Sequence, residues 1–183
     1  MRRILSFWVL TAKEKGRHQE MAYAWDIIEA ARELLGVKKY RYWQDGDPIP
    51  MWRKDGWGEH PLPPFWYFEQ NGIMGADLIN YALARNGIGP NGGTGTFSQW
   101  LVNAGGFDPN YPGQAGAIAF RPYHDSVDNG SIALYLDEHR VIQSIPSEGV
   151  TDQYTDATTY SWAPQWGMRY RFTTYGFLWG VTY

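Results

Sequence analysis

Thirteen residues near the middle of the chain, from Gly75 to Gly87, set the terms for everything around them. Leu78, Ile79, Ala82 and Leu83 recur at helical spacing, Gly75 frees the chain just before the first turn, and Asn86-Gly87 supplies a stop. The spacing predicts a helix entered from a long loop and followed by strands. Asp77, in its first turn, complements the helix dipole.

A second helix is expected upstream. From Glu20 to Leu35 the apolar positions Met21, Ala24, Trp25, Ile28, Ala31, Leu34 and Leu35 trace one stripe, and Gly36 closes it. Between the two helices, residues 37–74 read as one long loop holding Tyr40, Tyr42, Trp43, Trp52, Trp57, Phe65, Trp66, Tyr67 and Phe68. Prolines 48, 50, 61, 63 and 64 work against a helix through most of this stretch and keep any strand short. A connection of that length either packs on its own side chains or walls a binding groove.

Downstream, Gly92-Gly93-Thr94-Gly95 reads as a flexible turn, since it lacks the lysine, preceding strand and spacing of a phosphate loop. Thr96 to Ala104 is expected as a short helix carrying Phe97, Trp100 and Leu101. Strands are then expected at 115–120, 131–136, 140–145, 168–173 and 176–183, the second and third forming a hairpin around Asp137-Glu138-His139. Helices first and an antiparallel sheet afterwards define an α+β class. Residues 1–19 form an N-terminal arm and 20–183 a single domain.

Aromatic residues make up 17% of the chain, with 10 Trp and 13 Tyr, more than one core of this size needs. Some are therefore expected to line a groove or an interface, and Trp43, Trp52, Trp57 and Trp66 are the candidate stacking platforms. The net charge of -3 and the scattered Lys and Arg residues argue against a nucleic-acid surface. With no cysteine there is neither a disulfide framework nor a thiol nucleophile. Ile4 to Leu10 is too short and interrupted for a signal peptide and reads as a strand or docking arm, and no stretch is long enough to span a membrane. His18, His60, His124 and His139 lie too far apart for a recognised metal spacing, so no metal or cofactor is expected. Asp125, Asp128 and Asn129 form a turn rather than a calcium loop, which would need a terminal Glu in its frame.

Four segments, taken in order, resemble the NlpC-type papain-like peptidoglycan peptidases, relatives of the CHAP amidases. Ala30 to Trp43 resembles the first helix and its Leu-Gly-x-x-Tyr-x-Trp exit, and Ala76-Asp77-Leu78-Ile79-Asn80-Tyr81 falls where that family carries Cys-Ser-Gly-Leu-Val. Pro112 to Phe120 resembles the Pro-Gly-Asp-Leu-Val-Phe-Phe strand entry. Ser131 to Leu136, followed by Arg140 to Ser144, resembles the His-Val-Gly-Ile-Tyr strand and its hairpin partner. The resemblance implies a papain-like domain with N-terminal helices packed on an antiparallel sheet.

In that family a thiolate attacks an amide carbonyl, a His holds the proton and a third polar residue orients the His. Carried over, the nucleophile position is Ala76, the base position Ser131 and the orienting position Gln143. Alanine cannot attack, and serine cannot accept a proton near neutral pH. A Cys→Ala change made to silence an enzyme explains Ala76 but leaves Ser131 unexplained, unless His124 supplies the base. Natural loss of activity explains both and is favoured. The resemblance implies a bacteriophage minor tail (tail-tip) protein, inactive in catalysis, located in the virion or at the cell wall. Its expected partners are other tail proteins or peptidoglycan, and the apolar arms Ile4 to Leu10 and Phe172 to Tyr183 suit docking on neighbours. The alternatives are a peptidoglycan endopeptidase or amidase whose nucleophile is replaced, and an aromatic-rich carbohydrate-binding module.

Overall fold

The computed structural model describes residues 22–41, 62–88, 101–106, 113–121, 131–145, 148–154, 161–163, 168–170 and 172–183. The arm at 1–19, His18, His60, His124, Trp43, Trp52 and Trp57 lie outside the described residues.

The first helix, α1 (Ala24–Arg32), is shorter than the stripe suggested. Ala22–Tyr23, expected in its first turn, form strand β1 instead, in parallel register with Val181–Thr182 (β10). The backbone amide of Tyr23 donates to Asp26 Oδ2 at 3.2 Å, so the helix starts where an acidic first-turn residue caps it. Ile27, Ile28, Ala31 and Leu34 are fully buried, whereas Trp25, expected on the same stripe, is 59% exposed. Its indole lies beside Arg32, whose guanidinium carbon stands 5.6 Å from the ring centre. The buried positions Ile27, Ile28, Ala30, Ala31 and Leu34 meet the core, and the stripe drawn through Trp25 runs off their edge.

Inside the stretch read as loop, Phe65–Asn71 form helix α2. Pro64 occupies its N-cap, where a missing N–H costs nothing, and Gly72 ends it with φ of 78°. Phe68 faces the core, while Phe65 and Trp66 face out. The prolines therefore place the helix start rather than forbid a helix. Helix α3 (Gly75–Arg85) follows as expected. The Asn86 side chain donates to Ala82 O at 2.9 Å and across to Asp26 O at 3.2 Å, linking the end of α3 to the start of α1.

Six strands form one sheet in the order β2-β9-β3-β4-β5-β6, with every neighbouring pair antiparallel. They are β2 (Leu101–Gly106), β3 (Ile118–Arg121), β4 (Ser131–Tyr135), β5 (Arg140–Ile145), β6 (Gly149–Tyr154) and β9 (Thr174–Leu178). Helices together with this antiparallel sheet place the fold in the α+β class. The β4–β5 hairpin turns at Asp137–His139, where the His139 amide donates to Asp137 Oδ1 at 2.9 Å.

Three expectations about the strands change. Leu101 to Gly106 is not the end of a helix but a strand beside β9, with a register shift between Asn103 and Gly105. A short apolar run bounded by glycines has no period long enough to separate the two states. Phe172 to Tyr183, expected as a strand at 176–183 and also as an arm suited to docking on neighbours, is built into the fold: β9 lies between β2 and β3, Phe172 and Leu178 are buried, and a turn at Trp179-Gly180 leads into β10. Strand β8 (Met168–Tyr170) pairs with β7 (Ser161–Ala163) in a separate ribbon.

The sheet has two buried faces. Ile118, Phe120, Ile132, Leu134 and Ile142 join the helices in one core, and Ala117, Ala119, Ala133, Tyr135 and Val141 form a second cluster with Phe172. Strand alternation sorts them, since neighbours along a strand belong to opposite faces. Full burial of a Leu, Ile or Phe contributes about 1.5–3 kcal/mol, so the helix-side core is the main source of stability. The exit of α1 is fastened to the sheet edge: the Val150 amide donates to Val37 O at 2.8 Å and the Gly36 amide to Val150 O at 3.3 Å. Gly149 permits this approach, with φ of 78° and a position where a Cβ would lie 1.9 Å from Val37 O.

Candidate functional site

The N-terminus of α3 rests directly on β4 and β5. A Cβ on Gly75 would stand 3.3 Å from Ile132 Cγ2, 3.4 Å from Ile132 O and 3.8 Å from Ser144 O, so the glycine lets the first turn lie against strand backbone. The Ser144 hydroxyl donates to Ile73 O at 2.6 Å, pinning the residues that lead into the helix. Ala76 is fully buried in the helix-side core with Ile132 and Ile142. Asp77 and Asn80, on the same helix, are each 1% exposed.

Ser131 and Gln143 occupy the other parity. Along β4, Ile132 and Leu134 face the helices and Ala133 and Tyr135 the second cluster, so Ser131 alternates onto the second face. Along β5, Ile142 faces the helices and Val141 the second cluster, which puts Gln143 on the second face as well. Ser131 stands opposite Arg121, itself 6% exposed, and Gln143 opposite Thr151. The structure thus places Ser131 and Gln143 on one face, and Ala76 on the core side of the same sheet.

Gln143 is 1% exposed, and its Oε1 has no hydrogen-bond partner among the described residues. A methyl group, a hydroxyl and a carboxamide provide no thiolate and no proton acceptor of suitable pKa, so Ala76, Ser131 and Gln143 cannot by themselves run acyl transfer. Ser144, which holds Ile73, and Arg121, which stands opposite Ser131, were not singled out from sequence. Ser144 has no signal apart from its place one residue beyond Gln143, and Arg121 shows only as a cation closing an apolar strand.

A second polar group ties the two long helices together. Tyr81 donates from its hydroxyl to Glu33 Oε2 at 2.8 Å, while Arg85 grips both Glu33 oxygens, Nε to Oε2 at 3.1 Å and Nη2 to Oε1 at 2.8 Å. The Arg85 hydrogen bond holds the Glu33 carboxyl below its ordinary pKa, against the opposing effect of its partial burial, with Tyr81 assisting. Burial, followed by the neighbouring carboxylate, pushes the Tyr81 phenol up to about 12. Such a network is a structural clamp: Glu33 and Arg85 are paired with each other and Tyr81 completes the set.

Of the four tryptophans expected as stacking platforms, Trp66 is described, and it is 57% exposed beside the 38% exposed Phe65. Its ring meets Tyr67 edge to face with centres 6.5 Å apart. His139 lies exposed in the hairpin turn. Among the described residues no three metal-type donors gather, and no helix is long and apolar enough to cross a membrane. Comparison with protein-family models, curated proteins and solved structures gives no match.

Proposed function

We propose that the chain is a papain-like α+β domain of the NlpC type that has lost catalysis and works as a structural or cell-wall-contacting subunit of a bacteriophage tail. One observation carries the reading: Ala76, at the first turn where a thiolate would sit, is a fully buried methyl in the same core cluster as Ile132 and Ile142. A nucleophile needs a route to substrate and a base within hydrogen-bond reach. Here the position is filled by core packing; the far-face parity of Ser131 and Gln143 is set by the backbone rather than by substitution, so it lends no support of its own to the loss of a site they once shared with position 76. The order of helix, glycine turn, strand and hairpin supports descent from a hydrolase, with the cleft turned over to packing and contact.

The test is incubation of purified peptidoglycan sacculi with the protein and with its Ala76→Cys variant. New amino groups and co-sedimentation of protein are measured together. The expected result is co-sedimentation without new amino groups for either form. Release of amino groups by the cysteine variant would replace this reading with a peptidase that has had its nucleophile removed.

A further inference from the structure

We propose that Asn86 is a site of spontaneous conversion to aspartate or isoaspartate, gated by the turn that closes α3, and that its conversion releases α3 from α1. Four asparagines of the chain are followed by glycine, at 71–72, 86–87, 91–92 and 129–130, and the last two pairs lie outside the described residues. Glycine has no side chain to shield its amide nitrogen, so an Asn-Gly step leaves the asparagine open to attack by the next residue's nitrogen. The Gly87 nitrogen, its proton taken by hydroxide, bonds to Asn86 Cγ; the bond from Cγ to Nδ2 breaks and ammonia leaves. Water then opens the cyclic imide at either carbonyl, giving aspartate or, with the side-chain methylene moved into the backbone, isoaspartate. Loss of ammonia makes the change one-way.

The fold holds this step back in three ways. Asn86 has φ of -108° and ψ of 17°, which turns the Gly87 nitrogen well away from Asn86 Cβ, so attack needs a backbone rotation. The Gly87 amide donates to Ala84 O at 3.0 Å, which engages the attacking nitrogen. The Asn86 side chain is itself held, donating to Ala82 O at 2.9 Å and Asp26 O at 3.2 Å. Together these belong to a Schellman motif. The Ile88 amide donates to Leu83 O at 3.0 Å, Gly87 takes φ of 69°, and Ile88 and Leu83 are both buried in the helix-side core. Conversion therefore waits on local opening of this turn.

The consequence follows from what the amide nitrogen does there. Asn86 Nδ2 spans the two helices, and a carboxylate in its place has no hydrogen to donate. It sets an anion against Ala82 O and Asp26 O at the C-terminal end of α3, where the helix dipole is already negative. Arg85, the neighbouring cation, grips both oxygens of Glu33. Isoaspartate also lengthens the backbone inside the turn and breaks the spacing of the Schellman bonds. Asn71 supplies the contrast, since its side chain donates to Tyr67 O of its own helix at 2.8 Å and plays no part in joining α1 to α3.

The test is incubation of the full chain in weakly alkaline buffer, folded and in urea, with peptide mapping of positions 71 and 86 for the mass gain of an amide turned to an acid. At position 86 the folded chain should convert at least about tenfold more slowly than the unfolded one, as a local opening step requires. Folded molecules converted there, separated by their added negative charge, should show a lower unfolding midpoint and faster amide exchange at Ile88. Asn86→Asp, which encodes the aspartate product, should show both from the start. Molecules converted at Asn71 alone should keep the Ile88 exchange of the starting protein. An equal rate at position 86 with and without urea, or no conversion there in the folded chain, would overturn the proposal. So would converted molecules whose midpoint and Ile88 exchange match those of the starting protein.

Discussion

Tyr81 donates a hydrogen bond to Glu33 Oε2 at 2.8 Å, joining positions 48 residues apart and fixing where α3 crosses the end of α1. Its ring also meets Phe68 of α2 edge to face, with centres 5.3 Å apart, so one side chain touches all three helices. Tyr81→Phe keeps the ring contact and removes the hydroxyl. A hydrogen bond to a charged acceptor contributes about 1.5–3 kcal/mol when buried, and Glu33 is partly exposed, so a loss of about 1–2 kcal/mol is expected. Urea unfolding followed by tryptophan emission measures it, and an unchanged midpoint would remove Tyr81 from the clamp.

The same pair makes stability depend on pH at both ends. Tyr81 has a folded pKa pushed up to about 12, first by burial and then by Glu33, against 10.0 for a free phenol. Its contribution is therefore complete below pH 10 and is lost as the pH rises towards 12. Glu33 has a folded pKa below 4.5, chiefly because of Arg85, so its contribution is complete above that value and fades as the pH falls beneath it. Unfolding free energy measured against pH should decline in both windows. Tyr81→Phe should flatten part of the alkaline decline, although burial also drives Tyr135 up to about 12 and Tyr183 upward.

Much of this architecture is legible from residue order, and the failures share a physical cause. The α3 helix and the β4–β5 hairpin carry their own periods and stops, and both stand where the pattern places them. Trp25 and Leu101 to Gly106 were misread, and the C-terminal strand, expected as a strand, takes a place in the sheet that its own residues do not show, because each depends on distant partners. Trp25 lies off the edge of the buried positions, β2 exists as a neighbour of β9, and β9 sits between β2 and β3 in a sheet no local window reveals. At the candidate site, the family resemblance selects Ala76, Ser131 and Gln143. It does not find that a strand's parity puts the last two on the other face, nor that Ser144, next to Gln143, is the residue holding the chain before α3.

Glycine substitution separates a conformational requirement from a steric one. Gly36 and Gly149 both have positive φ, 91° and 78°, but a Cβ on Gly36 would meet nothing within 4 Å whereas on Gly149 it would lie 1.9 Å from Val37 O. Gly36→Ala should cost about 1 kcal/mol, the ordinary penalty of left-handed backbone. Gly149→Ala adds overlap with a backbone that cannot turn aside and should cost about 3 kcal/mol or more. It should also free the Val150 amide from Val37. Thermal unfolding ranks the two, and amide exchange at Val150 reports the detachment; equal costs would mean that the edge contact contributes little.

Gln143 offers the clearest separation of fold from function. Its Oε1 is buried with no hydrogen-bond partner among the described residues, and a carboxamide in that state costs stability that an apolar side chain of similar shape does not. Gln143→Met should therefore leave the unfolding free energy unchanged or raise it by about 1 kcal/mol. A loss of more than about 1 kcal/mol would mean that the amide group is satisfied in the folded chain and belongs to its framework. With stability preserved, sacculus binding becomes decisive. Binding that weakens while the fold holds would mean that the carboxamide acts on binding through its neighbours, since Gln143 is itself buried. Binding that stays the same would leave Gln143 with no part in it.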